Sequence, residues 1–250
     1  MLAAAVLGLA LLGACSGDTH PPDDDPSGDG GSPPDSASAA DCLNRDVYRS
    51  GTRVVMETRT VGTNVDGTPT APVESTSQTD TLGAAIFEGR ETTEFAVSGG
   101  GASVSIYRSL EGDRDLQHGA MTPTGRTVFD PPRLYRFDLS SGEAYEQDFV
   151  ETVEDLQGAV VQTADVHERH SYLGRETVAV PAGNFANACK FRYESRYVYS
   201  TGVQLDQYCL SWSAAGSGVS LKQECGPDAD SVTTAYELLG ASIDGVPVVP

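Results

Sequence analysis

The chain has few basic residues. It contains 16 Lys and Arg against 36 Asp and Glu in 250 residues, for a formal net charge of −20, and its only lysines are Lys190 and Lys222. Recognition of a phosphate backbone needs Lys and Arg gathered in a patch or stripe, so nucleic acid is excluded as a partner. The same charge would repel an anionic membrane surface.

The chain also lacks an apolar run long enough to cross a bilayer, which takes about 20 residues. Residues 1–14 are apolar or glycine, which is typical of the core of a secretory signal peptide. The run ends in Leu12-Gly13-Ala14-Cys15, which resembles the lipobox of bacterial lipoproteins. The resemblance implies that Cys15 becomes the mature N-terminus and carries palmitate-type acyl chains. Ser16 after the cysteine favours the outer membrane, facing the periplasm.

No Lys or Arg precedes the apolar run, so we expect the true start codon to lie upstream. The alternative to lipidation is an ordinary secretory signal peptide with a chance cysteine. Residues 15–40 are dominated by Asp, Pro, Gly, Ser and Ala, which cannot bury a core, so they are predicted to form a disordered acidic linker. Residues 41–250 then suit a single domain.

The domain lacks the 3.6-residue periodicity of amphipathic helices. Short runs of β-branched and aromatic residues alternate with polar ones, and Gly, Pro, Asn and Asp separate them at regular intervals. This pattern predicts an all-β protein, an antiparallel meander of about 10 to 13 strands. A sheet of that size forms a curved sheet, a half-barrel or a barrel.

A hairpin is predicted within residues 176–195, ETVAVPAGNFANACKFRYES. Val178 and Val180 alternate into a turn at Pro181-Ala182-Gly183, where proline presets φ and glycine permits a positive φ. The following strand carries charged residues on one face. Its other face is predicted to carry Phe185, Cys189, Phe191, Tyr193, Tyr197 and Tyr199.

The register of the next strand follows if Thr201-Gly202 is a two-residue loop. Phe191 then lies opposite Trp212, Tyr193 opposite Leu210, and Ser195 opposite Tyr208, so that aromatic faces coincide. A packed hydrophobic core is the favoured interpretation of this face. The alternative is the lining of a ligand cavity, formed by Phe185, Phe191, Tyr193, Tyr197, Tyr208, Leu210 and Trp212.

The cysteines of the domain are not arranged as metal ligands, because no C-x-x-C pair is present. Cys42, Cys189, Cys209 and Cys225 are an even number in an exported chain, which predicts two disulfides with three possible connectivities. In the predicted register Cys189 and Cys209 face opposite sides, and Cys189 lies far from Cys225. That register favours Cys42–Cys189 with Cys209–Cys225.

Two segments carry a family resemblance. Residues 174–185, GRETVAVPAGNF, and residues 212–222, WSAAGSGVSLK, together resemble the C-terminal signature of bacterial envelope proteins of the domain-of-unknown-function 3108 type and their lipoprotein relatives. The shared elements are a V-P-A-G-x-F turn and a W-x-x-x-G-x-G-x-V/L-x-K segment. The resemblance implies a curved antiparallel sheet similar to the half-barrels of periplasmic lipid carriers, and it brings no catalytic residues.

No catalytic or metal-binding motif stands out. A G-x-S-x-G elbow is missing, and no carboxylate pair is singled out in so acidic a chain. His167 and His170 are three residues apart, so on a strand they face opposite sides, and we interpret both as surface residues. The sequence therefore predicts a non-enzymatic, lipid-anchored envelope protein without a cofactor, which binds an apolar or amphipathic ligand. The alternatives are a scaffolding protein with a packed core and an undetected hydrolase.

Overall fold

The computed structural model describes residues 38–64 and 67–250, so Cys15, the signal peptide and most of the predicted linker lie outside the described residues. Thirteen strands run through the described part of the chain, each antiparallel to the next. They are β1 (Arg53–Gly62), β2 (Val73–Phe87), β3 (Arg90–Gly99), β4 (Ala102–Glu111), β5 (Arg114–Thr122), β6 (Gly125–Arg136), β7 (Ala144–Asp155), β8 (Val160–Val180), β9 (Gly183–Tyr199), β10 (Gln204–Ser213), β11 (Ser220–Gly226), β12 (Thr234–Ile243) and β13 (Val246–Pro247).

The sheet closes on itself. β12 pairs with β1, from Val54 opposite Ile243 to Gly62 opposite Thr234, so twelve strands form a barrel and β13 is an extra strand beside β12. A twisted sheet of this width tends to curl, and closure removes the unpaired edges that invite aggregation. The predicted all-β antiparallel meander is confirmed, and a barrel is the form that it takes.

The segment before β1 is made of two 3₁₀ turns, Ala39–Cys42 and Arg45–Tyr48, and no helix within 38–64 or 67–250 is long and apolar enough to span a bilayer. The Ser38 hydroxyl accepts a hydrogen bond from the Ala40 N–H at 2.9 Å and caps the first turn. Ala39 is fully buried, and its N–H donates to the Leu139 carbonyl at 2.9 Å. The folded domain therefore begins before residue 41. Ala39 belongs to a segment with the composition of a linker, but it is small enough to be buried beside Leu139.

The predicted hairpin within 176–195 is present. Val180 lies opposite Gly183, with Pro181 and Ala182 between them in the turn. Gly183 has a φ of +135°, which L side chains rarely adopt. An added Cβ there would also lie 2.5 Å from Cγ of Pro250.

The predicted register between β9 and β10 is wrong by one residue. The loop has three residues rather than two: the Tyr199 N–H donates to the Val203 carbonyl, and Gly202 takes a φ of +84°. Phe191 consequently lies opposite Ser211, and Tyr193 opposite Cys209. A one-residue slip moves every side chain of a strand to the other face of the sheet, so Tyr208, Leu210 and Trp212 do not share the face of Phe191.

A bulge in β9 changes the face of Phe185 as well. Asn187 has a φ of +59°, and the pairing with β8 shifts between Glu176 and Val178. Phe185 therefore does not continue the face of Cys189 and Phe191 as a regular alternation would require. It packs instead in a cluster formed by Val178, Phe185, Ala188, Trp212, Ala214, Val219, Leu221 and Leu238.

Two disulfides join Cys42 to Cys189 and Cys209 to Cys225. These are the pairs that the sequence favoured, but one of the two arguments for them is wrong, because Cys189 and Cys209 share a face. Cys189 lies opposite Ser213, which puts it about 13 Å along β10 from Cys209 at roughly 3.3 Å per residue. That separation, rather than a difference of face, keeps these two cysteines apart.

Candidate functional site

The backbone hydrogen-bond ladder between β6 and β7 is interrupted, which leaves a gap in the barrel wall. The two strands pair from Gly125 opposite Asp155 to Asp130 opposite Val150, and the ladder stops at Pro131, which has no N–H to donate. Beyond it, two side chains of β7 replace the backbone ladder. Gln147 accepts from the Leu134 N–H at 2.8 Å and donates to the Leu134 carbonyl at 3.0 Å, and the Tyr145 hydroxyl donates to the same carbonyl at 2.7 Å.

A cavity of about 410 Å³ lies beside this gap. Its volume is within the range of about 300–1,000 Å³ that is typical of small-molecule pockets. The part of the lining from β6 to β9 is aromatic and basic, and the part from the neighbouring strands β10 and β11 is neutral and polar. The lining residues are Arg133, Tyr135, Arg136, Phe137, Leu139, Tyr145, His170, Phe191, Arg192, Tyr193, Tyr197, Gln207, Cys209, Ser211, Ser213, Gln223 and Cys225.

A fully buried carboxylate, Glu168, organises the aromatic wall. Arg133 holds it with two contacts, Nη2 to Oε1 at 2.9 Å and Nε to Oε2 at 3.1 Å. The Tyr193 hydroxyl donates to Oε1 at 2.7 Å, and Gln147 donates to Oε2 at 2.8 Å. His170 Nε2 lies 3.0 Å from Oε2. A buried charge is tolerated only when it is paired and hydrogen-bonded, and this network meets both conditions.

The pKa of Glu168 is lowered below its usual 4.5. Burial alone would raise this pKa, but the hydrogen bond from His170 and the charge of Arg133 outweigh burial and favour the ionised form. Glu168 therefore stays ionised near neutral pH. Burial raises the pKa of the Tyr197 hydroxyl to about 12, which keeps that hydroxyl protonated.

His170 is packed among tyrosine rings. Its ring stacks on Tyr145 at 5.0 Å between centroids and meets Tyr193 edge-on at 4.9 Å and Tyr135 edge-on at 5.6 Å. Its side chain is 12% exposed, whereas that of His167 is 50% exposed. The prediction that the two histidines face opposite sides is confirmed, but the interpretation of His170 as a surface residue is wrong.

A second ion pair continues the polar interior beyond Tyr135. The guanidinium carbons of Arg108 and Arg133 lie 5.5 Å and 5.2 Å from the centre of the Tyr135 ring. Arg108 Nη1 lies 3.2 Å from Oδ2 of Asp115, whose side chain is 5% exposed. Asp115 Oδ1 and Arg108 Nε are buried and have no partner in the described part of the chain.

The predicted lining residues divide between this cavity and other parts of the fold. Phe191, Tyr193 and Tyr197 line the cavity. The four that do not are Phe185, Tyr208, Leu210 and Trp212, which the bulge in β9 and the one-residue register shift place elsewhere. Trp212 is 5% exposed; its indole N–H donates to Glu176 at 2.6 Å, and Lys190 and Lys222 lie over its ring.

The ionisable members of the site were not predicted: Arg133 and Glu168 were not singled out, and His170 was interpreted as a surface residue. Glu168 and His170 alternate with Val166 and Tyr172 on the inward face of β8, opposite inward residues of β9. A polar residue at an inward position of an alternating strand is the pattern that could have revealed them. Among the described residues, no group of three or more His, Cys, Asp or Glu could hold a metal ion.

No protein-family model matches the chain, and no curated protein does, so the likeness to the domain-of-unknown-function 3108 type stays a prediction. Three solved structures resemble the fold. A protein from Bacteroides fragilis, described as exported and as having a YmcC-like fold, is 12% identical over 78% of this chain and 97% of its own, with a TM-score of 0.51.

Two further structures are described as lipoproteins. One is from Parabacteroides distasonis, with 11% identity over 78% of this chain and 96% of its own, and a TM-score of 0.44. The other is YmcC from Escherichia coli, with 9% identity over 82% of this chain and 89% of its own, and a TM-score of 0.36. At these identities only the fold is comparable, and the chain shares the fold of the exported Bacteroides fragilis protein.

Proposed function

We propose that this protein is an exported bacterial envelope lipoprotein, anchored by lipid at Cys15, whose barrel binds an amphipathic ligand without catalysis. The cavity of about 410 Å³ is the observation that carries the proposal. It combines aromatic rings, which bind apolar groups, with a few polar groups that fix orientation, as small-molecule sites do. The description of a similarly folded protein as exported supports an envelope location.

The state of Glu168 supports binding over hydrolysis. A general acid or base must reach its substrate, yet this carboxylate is 0% exposed and already accepts from Arg133, Tyr193 and Gln147. The cavity likewise favours a ligand carrier over a scaffolding protein with a fully packed interior.

Native mass spectrometry tests the proposal. The full exported chain carrying Cys15→Ser is purified from the soluble envelope fraction without detergent, and its native mass is compared with the denatured mass of the same sample. Covalent groups contribute to both masses, so only a non-covalently bound ligand makes them differ. We expect an excess native mass of lipid size.

A matched pair of variants locates the ligand. Ser211 lines the cavity opposite Phe191, so Ser211→Trp should fill the space and remove the excess mass, whereas Ser211→Ala should keep it. Equal native and denatured masses for the Cys15→Ser protein that retains Ser211 would contradict the proposal, and so would an excess that survives in Ser211→Trp.

A further inference from the structure

The charges around the cavity differ in sign from those of the whole chain. The chain has a formal net charge of −20 with histidine taken as neutral, yet the lining includes Arg133, Arg136 and Arg192 and no Asp or Glu. Each of these arginines also pairs with a carboxylate outside the lining, so the question is which of them keeps N–H groups free for a ligand.

Not all of these cations are available to a ligand. Arg136 is held by Asp138 through two contacts, at 2.7 Å and 3.1 Å. Arg192 lies 3.7 Å from Glu194 and donates to the Ser171 hydroxyl at 3.3 Å, on the side of β9 away from Phe191. These pairs leave Arg133 as the basic group to consider.

Arg133 has spare donors. Its Nε and Nη2 bind Glu168, and Nη2 also donates to the Tyr193 hydroxyl. Within the described residues Nη1 has no hydrogen-bond partner, and it is not among the enclosed atoms that lack one. The side chain is 19% exposed and lines the cavity, which leaves the two N–H groups of Nη1 as the donors available to a ligand.

The rest of the lining fits a molecule with one charged end. Phe137, Leu139 and Phe191 form an apolar region beside Cys42 and Cys189. Gln207 and Ser211, on the neighbouring strand β10, add neutral donors. An amphipathic molecule can lay its apolar part against the first region while its head group meets Arg133.

We infer that the cavity selects an amphipathic ligand with an anionic head group, a carboxylate or a phosphate monoester, and that Arg133 is the residue that recognises it. The inference rests on the proposed ligand-binding function and specifies the chemical class of the ligand. Arg–carboxylate and Arg–phosphate contacts are charge-assisted and stronger than neutral hydrogen bonds.

The test compares probes that share one tail. Octanoate, octyl phosphate and octanol are titrated calorimetrically into the full exported chain carrying Cys15→Ser, so that no detergent competes for the cavity. We expect octanoate or octyl phosphate to bind about tenfold or more tightly than octanol, and the tighter of the two identifies the head group. Equal affinities would overturn anion selection but leave ligand binding intact, whereas no binding of any probe would count against the proposed function itself.

Two variants and a control assign the effect to Arg133. Arg133→Gln should remove the preference for the anion and leave the affinity for octanol unchanged. Arg196→Gln should change neither, because Arg196 is 60% exposed and pairs with Asp206 outside the cavity. An anion preference that persists in Arg133→Gln would overturn the assignment.

The second variant covers a failure of Arg133→Gln to fold. Glu168→Gln keeps a hydrogen-bonding group beside Arg133 but removes its negative partner. A role in anion recognition predicts a higher affinity for octanoate in this variant, whereas a purely structural role predicts an equal or lower one. An equal or lower affinity in folded Glu168→Gln therefore rejects the inference.

Discussion

At the residue scale, the turn at Gly183 depends on a backbone angle that other residues avoid. Its φ of +135° makes any L side chain strained, and a β-branched one most of all. We expect Gly183→Val to lower the free energy of unfolding by about 1–3 kcal/mol, measured by urea denaturation. An added Cβ would also lie 2.5 Å from Cγ of Pro250, which adds to this loss.

Gly240→Val is the matched control for Gly183→Val. Gly240 also lies in a strand, and its nearest neighbour to an added Cβ is the flexible Glu57 carboxylate at 3.6 Å. Gly240→Val should therefore lower the free energy of unfolding much less than Gly183→Val does. Equal losses in both variants would mean that the volume of valine, and not the angle at Gly183, is responsible.

Glu168 makes stability depend on pH. Its folded-state pKa lies below the usual 4.5, so its stabilisation is complete above that value and is lost as the pH falls through the folded-state pKa. At neutral pH, Glu168→Gln leaves the guanidinium of Arg133, which is 19% exposed, without its carboxylate partner, and this costs about 3 kcal/mol, the lower end for a fully buried pair. We expect the unfolding free energies of the wild type and the variant to converge as the pH falls below about 4.5.

The control for this pH dependence is Glu194→Gln, since Glu194 is 40% exposed and its contact with Arg192 is 3.7 Å long. Its urea-unfolding curves should follow those of the wild type from pH 7 to pH 3. A difference between Glu168→Gln and the wild type that stays constant with pH would show that ionised Glu168 is not its source.

At the scale of elements, the two disulfides should stabilise the barrel unequally. Cys42–Cys189 spans 147 residues and fixes the N-terminal segment to β9, whereas Cys209–Cys225 spans 16 residues and joins adjacent strands. A longer loop removes more entropy from the unfolded chain. We expect Cys42→Ser/Cys189→Ser to lose about 5 kcal/mol and Cys209→Ser/Cys225→Ser about 3 kcal/mol.

Urea unfolding of the two double variants measures this difference directly, and each variant serves as the control for the other. The reverse order of stability losses would indicate that strain or residual unfolded structure outweighs loop length at these sites. Reduction of the wild type should lower its stability at least as far as the Cys42→Ser/Cys189→Ser variant.

Strand identity was predictable from sequence, and the register of one hairpin was not. Alternation of apolar and polar residues identified β9, and Pro181 with Gly183 identified the turn before it. The loop after β9 contains Gly202, which suits either a two-residue or a three-residue hairpin, and only the folded backbone decides between them. The one-residue difference in loop length decides which face of the sheet carries Trp212.

At the scale of the whole molecule, the polar interior was the least predictable feature. Phe191, Tyr193 and Tyr197 could be placed on one inward face because aromatic residues alternate there, but the favoured interpretation was a packed core, whereas the structure shows these residues lining a cavity. Arg133 and Glu168 belong to strands β6 and β8, which are not neighbours in the sheet, so their pairing depends on the curvature of the barrel. Such long-range contacts leave no local pattern in the sequence.

The proposed lipid anchor determines where the whole molecule resides. Changing Cys15 to Ser removes the thiol that a lipid would modify, so we expect the variant to move from the membrane fraction to the soluble envelope fraction. The folded part carries a large excess of acidic residues, which gives it no electrostatic reason to stay on an anionic membrane. Detergent phase partitioning of both proteins measures the change.

Two further results make the anchor test decisive. Cys209→Ser/Cys225→Ser serves as the control, because it also removes cysteines but should stay in the membrane fraction. The denatured mass of the wild type should correspond to a chain that begins at Cys15 and carries acyl groups, and that of Cys15→Ser should lack them. A Cys15→Ser protein that remains membrane-bound with an unmodified mass would refute the lipobox interpretation, because something other than lipid would then hold the barrel at the membrane.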